Sequence, residues 1–542
     1  MNKTIRRSIL LLLTGFTALF YNSCRKSSSS PSWDVDILAP LIKSSLTINN
    51  LIPDSLLQDN PDSSIKIVYN SDLINFSSDT LAKVPDTTLT LSFKDLTDFN
   101  YYGGHYLITP TTSTINFKLG DVQLKKATIK TEFIRLYLEN RVDSMVVFEY
   151  KIPSATLGGV PFDVVDSIPG KSGNTPTIYD KTFSLAGYTV DLTGPSGTGS
   201  NIVTTFVKAY VSKRVSYVTI KPTDSLYIIN SAYSIKPAYA KGYLGQSTTM
   251  VGPQQTDFSL FSGIKSGILN LPNVNIDVVL ENSIGADARI KISNISAINS
   301  SSGINIPLVC SSVINKSINI NRALETGIAS SPVIPSTQTL HINSSNSNIS
   351  SLLNIYPDKL GYSMQVNVNP LGNVSGDNDF VYSGYGIKAK LNVSIPLSVV
   401  ASNLTLSDTL LLDLSSIKQE DNVNGGFLYL YTTNGLPLDA GIQIYLLDSK
   451  LHITDSLLTP PSNIIASALV DASFKVTEAV NTKLTIPVTK AKIAELVKTK
   501  KALVVARFNT TKQPNPVSIY SNYKLDFKLI ADLNYRISGN TQ

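Results

Sequence analysis

Leu136-Tyr137-Leu138-Glu139-Asn140 alternates apolar and polar residues, turns at Asn140, and resumes as Val146-Val147-Phe148-Glu149-Tyr150. Alternation with period two puts one side of a strand in a core and the other in water. The pattern recurs as Val278-Val279-Leu280-Glu281-Asn282 before Ala288-Arg289-Ile290-Lys291-Ile292. A third copy is Leu428-Tyr429-Leu430-Tyr431, followed by Asn434-Gly435 and Ile442-Gln443-Ile444-Tyr445. Each is expected to form a half-buried hairpin around its Asn turn.

A second signal follows two of the copies. Leu340-His341-Ile342 leads to Ile349, Leu352 and Leu353, and Leu484-Thr485-Ile486 leads at the same offsets to Ile493, Leu496 and Val497. Apolar residues at i, i+3 and i+4 predict a short amphipathic helix lying on a sheet, and the shared offset predicts equivalent sheets. Phe183 to Val211, after the first copy, shows strands and little helix.

Composition agrees with a β chain. Only 8 of the 40 acidic residues are Glu, a good helix former, while Asp, Asn, Ser, Thr, Val, Ile and Tyr abound. The expectation is a mostly β protein of several tandem β-sandwich-like modules with a few short helices. Its boundaries are read as an N-terminal β-rich module over 33–120, then repeats over 121–255, 256–370 and 371–542, the last with a short helix near 490–500. Trp33, the only Trp, is expected to seal the lower end of the first module.

The N-terminus has its own logic. Lys3, Arg6 and Arg7 precede the apolar run Ile9 to Phe20, and Tyr21-Asn22-Ser23 leads into Cys24. That order reads as an export signal over 1–23, with a run shorter than the roughly 20 residues a spanning helix needs. A Cys behind a small residue at this point resembles the lipobox of bacterial lipoproteins, with Tyr21 where Leu is usual. The resemblance implies cleavage before Cys24, lipidation of its thiol and acylation of its new amine. Residues 24–32 then form a polar, flexible tether. By resemblance to enteric lipoproteins, Arg25 in place of Asp implies the outer membrane, and the lack of an acidic cluster after Cys24 implies its periplasmic face. The opening Trp33-Asp34-Val35-Asp36-Ile37-Leu38 is similar to that of uncharacterised exported lipoproteins of Gram-negative bacteria. The Asn-ended strands are similar to LEA-type β-sandwich repeats, which usually carry Asn-Pro at the turn.

Asp followed by Ser or Thr recurs in a form that resembles a bacterial O-glycosylation signal. The resemblance implies acceptors at Ser55, Thr80, Thr87, Ser144, Ser167, Ser225, Thr409 and Ser456. Without residues 1–23 the balance is 43 basic against 40 acidic residues, dispersed along the chain, so no nucleic-acid footprint is visible.

Catalytic material is sparse. His105, His341 and His452 are the only histidines, and none has a metal partner at i+2 or i+4. Cys310 stands alone, so with Cys24 acylated no internal disulfide forms. Gly170-Lys171-Ser172 lacks the first Gly of a phosphate-binding loop, and Gly194 to Gly199 breaks the spacing of a nucleophile elbow. Asp377-Asn378-Asp379 and Glu420-Asp421-Asn422 carry oxygen ligands without the spacing of a calcium loop. His105, among tyrosines and glycines, is expected in a loop packed on its own aromatics. The expected function is a lipid-anchored cell-envelope protein that binds or scaffolds. Its partners would be the membrane, through Cys24, and an envelope protein or glycan, with no catalytic residue, cofactor or metal. The alternatives are an envelope hydrolase with a dispersed active site and a carrier of an apolar ligand.

Overall fold

The structure, a computed structural model, describes residues 32–77, 84–261, 264, 266–413, 422–459, 463–499 and 501–538. Cys24 and most of the tether lie outside them. Three strands open the described chain: β1 (Ser32–Thr47), β2 (Ile65–Ser77) and β3 (Thr87–Lys94). They do not pair with one another. Each is the first strand of a different sandwich, and the rest of that sandwich comes later.

The first sandwich is completed by the next seven principal strands. These are β4 (Tyr106–Asn116), β5 (Gln123–Asn140), β6 (Val146–Leu157), β7 (Val160–Ile168), β8 (Thr177–Ser184), β9 (Ile202–Val211) and β10 (Ser225–Tyr243). One sheet runs β3-β10-β5-β8 and the other β4-β9-β6-β7, all antiparallel. A short strand, Thr189–Asp191, pairs with both β5 and β6.

The second sandwich adds to β2 the strands β11 (Ser247–Asp257), β12 (Asn275–Asn282), β13 (Ala288–Asn299), β14 (Ile304–Pro307), β15 (Ser336–Asn343), β16 (Lys359–Val368) and β17 (Gly386–Pro396). Its sheets run β2-β17-β12-β15 and β11-β16-β13-β14. The third adds to β1 the strands β18 (Ser398–Leu411), β19 (Val423–Asn434), β20 (Leu438–Leu447), β21 (Ile453–Ser456), β22 (Val480–Thr489), β23 (Lys501–Thr510) and β24 (Lys524–Ser538). Its sheets run β1-β24-β19-β22 and β18-β23-β20-β21.

The three sandwiches therefore share one eight-strand topology and are nested in sequence. The first lies between strands one and two of the second, which lies between strands one and two of the third. Compactness follows the nesting. Among the described residues, 52–263 with 269–399 form one unit, and 32–51, 264–268 and 400–538 form another. The expected contiguous modules are corrected accordingly, since the strands of 33–120 are shared among three sandwiches. Trp33 seals nothing: it sits on β1 and is 51% exposed.

The three Asn-ended strands occupy equivalent places, but they are not hairpins. β5 and β6, β12 and β13, and β19 and β20 each belong to opposite sheets. At Asn140, Asn282 and Asn434 the chain arches across the core, and all three Asn are fully buried. Asn140 Nδ2 donates to the carbonyls of Ser144 (3.0 Å) and Pro169 (2.9 Å), while its Oδ1 accepts from the Val142 amide (3.0 Å). Asn282 repeats this with Ala286 (2.8 Å), Asn321 (2.9 Å) and Ile284 (3.0 Å). Asn434 repeats it with Leu438 (2.9 Å), Ala466 (2.9 Å) and Leu436 (3.0 Å). An arch turns its backbone polar groups towards the core, where each left unpaired would cost about 1–3 kcal/mol. One amide side chain satisfies three of them.

Crossing sheets also explains the burial pattern. Ile134, Leu136 and Leu138 on β5 and Val146, Phe148 and Tyr150 on β6 all face the space between the sheets, each contributing about 1.5–3 kcal/mol of transfer free energy. Both predicted helices form, as α1 (Ile349–Leu353) between β15 and β16 and α2 (Lys490–Lys498) between β22 and β23. They fill the same crossover but rest on different sheets, α1 on β13 and β14 and α2 on β19 and β22. The expectation of equivalent sheets is corrected: the shared offset sets the place in the chain, not the surface covered.

Asn282→Ala should lower the stability of its unit by about 3 kcal/mol, since three buried groups lose their partner. Asn282→Asp should cost at least as much, because a second oxygen would face the Ala286 and Asn321 carbonyls. Urea unfolding followed by circular dichroism measures both, and the same order should hold at Asn140 and Asn434.

Candidate functional site

The core of the first sandwich contains a cavity of about 60 Å³. Its wall is mostly aliphatic, with Ile115, Leu124, Ile134, Ile152 and Val203 among the contributors. Five polar side chains interrupt it, of which Asn201 and Thr205 are bonded to the backbone of Val122, Leu124 and Ser113, leaving three. Glu132 comes from β5, Tyr150 from β6 and Asn230 from β10, and they are 7%, 2% and 3% exposed. Local backbone geometry makes the room. The register of β10 against β5 is broken between Tyr233 and Tyr239, Ser234 takes a positive φ of 58°, and Ile235 and Pro237 from this bulge line the cavity.

The electrostatics of the trio follow from burial. Burial alone pushes the Glu132 carboxyl up to about 7, with no cation or hydrogen-bond donor among the described residues pulling it back. Burial, with the Glu132 charge nearby, also pushes the Tyr150 phenol up, so it keeps its proton. Asn230 Nδ2 donates to Tyr150 Oη, and Asn230 Oδ1 has no partner among the described residues. The site therefore holds one acid that titrates near neutrality and one amide oxygen lacking a donor. At about 60 Å³ it has room for a few water molecules, well below the roughly 300 Å³ at which ligand pockets begin.

The residues singled out in the sequence lie elsewhere and apart. His105 is exposed and stacks on Tyr101 at 4.0 Å between ring centroids. The Tyr101 hydroxyl donates to Asp95 (2.7 Å), and burial together with that carboxylate pushes it up to about 12. His341 Nδ1 lies 2.7 Å from Asp277 and His452 Nδ1 3.2 Å from Asp448, both in solvent. Cys310 is buried, its Sγ 3.3 Å from the Ser312 hydroxyl. Among the described residues no three His, Cys, Asp or Glu side chains gather as a metal site.

Lys171 of the Gly-Lys-Ser triplet pairs with the fully buried Asp224 and lies 3.7 Å from Asp143. The second sandwich repeats that arrangement beside Asn282, where Arg322 holds the fully buried Asp379 at 2.6 Å. Asp379 also accepts from the Leu244 amide and from Asn369, and Asp377 pairs with Lys125 at 3.3 Å. The Asp377–Asp379 carboxylates are thus taken by cations of the chain itself. Glu420 and Asp421 lie outside the described residues.

Of the glycosylation positions, Ser55, Ser167 and Thr409 are exposed, and Thr87 and Ser456 are half-buried. Ser144 and Ser225 are buried within the Asn140 arch, at 6% and 5% exposure, so neither hydroxyl is presented to a modifying enzyme in the folded chain. Cys24 and Thr80 lie outside the described residues.

Glu132, Tyr150 and Asn230 were legible and missed. Counting back by twos from Asn140 through Leu138, Leu136 and Ile134 lands on Glu132, an acid on the core face of its strand. The same count places Tyr150 with Phe148, and Asn230 with Ile228.

No family model matches the chain, and no curated protein matches it. Among solved structures it is similar to a protein of Parabacteroides distasonis described as secreted, at 14% identity over 52% of this chain and 82% of that one, with a TM-score of 0.30. It also aligns with an infectious bursal disease virus (Gx strain) structure at 8% identity over 89% and 83% of the two chains, with a TM-score of 0.12. Scores this low say nothing about activity.

Glu132 makes stability depend on pH. Its folded value, about 7, lies above the ordinary carboxyl value of 4.5, so the unfolded chain loses this proton first as pH rises. The first sandwich should lose stability between about pH 4.5 and 7 through this group, by roughly 3 kcal/mol in all, and hold at the lower level above that range. Glu132→Gln should abolish that slope and be the more stable protein at pH 8, as read by urea midpoints across pH.

Proposed function

We propose that this is an exported protein of the cell envelope, held to the outer membrane through acylated Cys24, that acts by binding or scaffolding rather than by catalysis. The observation that carries the reading is how the buried polar groups are used. Lys171, Asp224, Arg322 and Asp379 sit beside the arches and hold them, and the Glu132 cavity admits little more than water. What remains for interaction is the outer surface of the sheets. The export reading rests on Lys3 to Cys24, and the likeness to LEA-type sandwiches rests on the Asn-ended strands.

The carrier alternative has one observation in its favour. An open groove of about 390 Å³ lies between the edge strands β2 and β11 of the second sandwich, lined by Leu73, Ile74, Phe76 and Val251 among others. That volume falls within the range of small-molecule sites. Saturable binding of a fluorescent fatty acid, lost in Phe76→Asp, would favour the carrier over the scaffold.

Cys24→Ala should move the protein from the membrane pellet to the soluble envelope fraction, because no helix among the described residues is long and apolar enough to span a bilayer. Retention in the pellet after a high-salt wash would refute the anchor.

A further inference from the structure

The outward face of sheet β1-β24-β19-β22 in the third sandwich is unlike its counterparts. Phe427, Tyr429 and Tyr431 form a stripe along β19, with ring centroids 6.1 and 6.3 Å apart and the first two rings within 13° of parallel. Register extends the stripe sideways, because directly opposed residues point to the same side of a sheet. Phe427 is flanked by Asp532 and then Leu38, and Tyr429 by Ile530 and then Pro40. Leu38 is 69% exposed, Phe427 44% and Tyr431 40%.

The row through Tyr431 is different in kind. Lys483 lies on one side of it, and Lys528 and then Lys43 on the other. All three lysines are exposed, and none makes an ion pair among the described residues. Lys483 Nζ stands 3.8 Å from the centre of the Tyr429 ring. Against these three cations the same rows set one acid, Asp532, and the next row sets Asp526, which is paired to Lys524 at 2.9 Å and lies near Lys43. The equivalent faces do not combine these features. In the first sandwich Phe133 stacks on Tyr233, but Arg135 is paired to Asp180 at 2.6 Å. In the second, Lys390 pairs with Glu281 and His341 with Asp277.

Aromatic rings with polar tips beside unpaired lysines match the boundary of a bilayer, where rings sit at headgroup level and cations meet anionic lipid. The chain brings such a surface close. Eight Cα steps separate Cys24 from Ser32 at the start of β1, a reach of at most about 29 Å, and β1 is the edge strand of this sheet.

We propose that the outward face of β1-β24-β19-β22 docks on an anionic bilayer surface, the one that holds the Cys24 acyl chains. The inference rests on the lipid-anchor reading only for how the face arrives there. Its test therefore uses the Cys24→Ala chain without residues 1–23, which cannot be acylated at that position and lacks the apolar run Ile9 to Phe20. The protein should co-sediment with vesicles of phosphatidylglycerol and phosphatidylethanolamine and leave them as salt rises, with little binding to phosphatidylcholine alone. One lysine at such a surface strengthens association about fivefold. Lys483→Glu with Lys528→Glu should therefore lower binding at least tenfold. Phe427→Thr with Tyr431→Thr should also weaken it, while Lys388→Glu on the second sandwich should not. Apart from the half-buried Lys388 these positions are exposed, and unchanged circular dichroism spectra confirm that each variant is folded. Absence of vesicle binding, equal binding by all variants, or binding to immobilised alginate but not to vesicles would overturn the proposal, the last marking the face as a site for acidic glycans. Failure of the anchor alone would appear in cell fractionation and leave vesicle binding intact.

Discussion

The three buried asparagines are the constraint on which the rest of the structure depends. A strand that leaves one sheet and enters the opposite one must turn its backbone inside the core, away from water. A carboxamide suits this corner because it offers two donors and an acceptor on one short side chain. Asn140, Asn282 and Asn434 use both ends in the same way, and each ties a third loop to the arch through its second donated bond. The arch, its loop and both sheets are thereby fixed by one residue. Two of the arches add an ion pair with a fully buried Asp, and the third is lined instead by Leu436 and Ala468. The amide bonds are common to all three, the charges are not, so the charges are secondary. That ordering agrees with the small or negative net return of buried ion pairs.

Strand identity and core membership were legible in the sequence because both depend on local alternation. Leu136 to Tyr150 shows which residues face inward, and that parity holds in every copy. Where the next strand goes is another matter. Five residues between Asn140 and Val146 suit a hairpin or an arch equally, and the choice depends on burial of the Asn, which has no local signature. Long-range pairing is less visible still. β1 matches β24 over almost its whole length, yet nothing in residues 32–47 points to residues 524–538, so a contiguous module over 33–120 was the natural and mistaken reading. The site fared differently. Attention to histidines and short motifs led to surface groups such as His105 and His452, whereas the one strongly perturbed carboxyl among the described residues, Glu132, stands on a face whose parity was already known.

A chain made from its N-terminus produces β1, β2 and β3 first, but completes their sandwiches in the reverse order. The β3 sandwich is complete at Tyr243, the β2 sandwich at Pro396, and the β1 sandwich only at Ser538. The architecture works as a last-in, first-out stack. The strand that appears earliest waits longest with its hydrogen-bonding edge unmatched, the condition under which strands recruit wrong neighbours. β1 carries the residues that discourage this: Asp34, Asp36 and Lys43 along its length and Pro40 in its middle. Truncation is correspondingly asymmetric. A chain that stops soon after Tyr243 still contains every strand of one whole sandwich, whereas loss of the final fifteen-residue strand takes away the partner of the strand nearest the N-terminus.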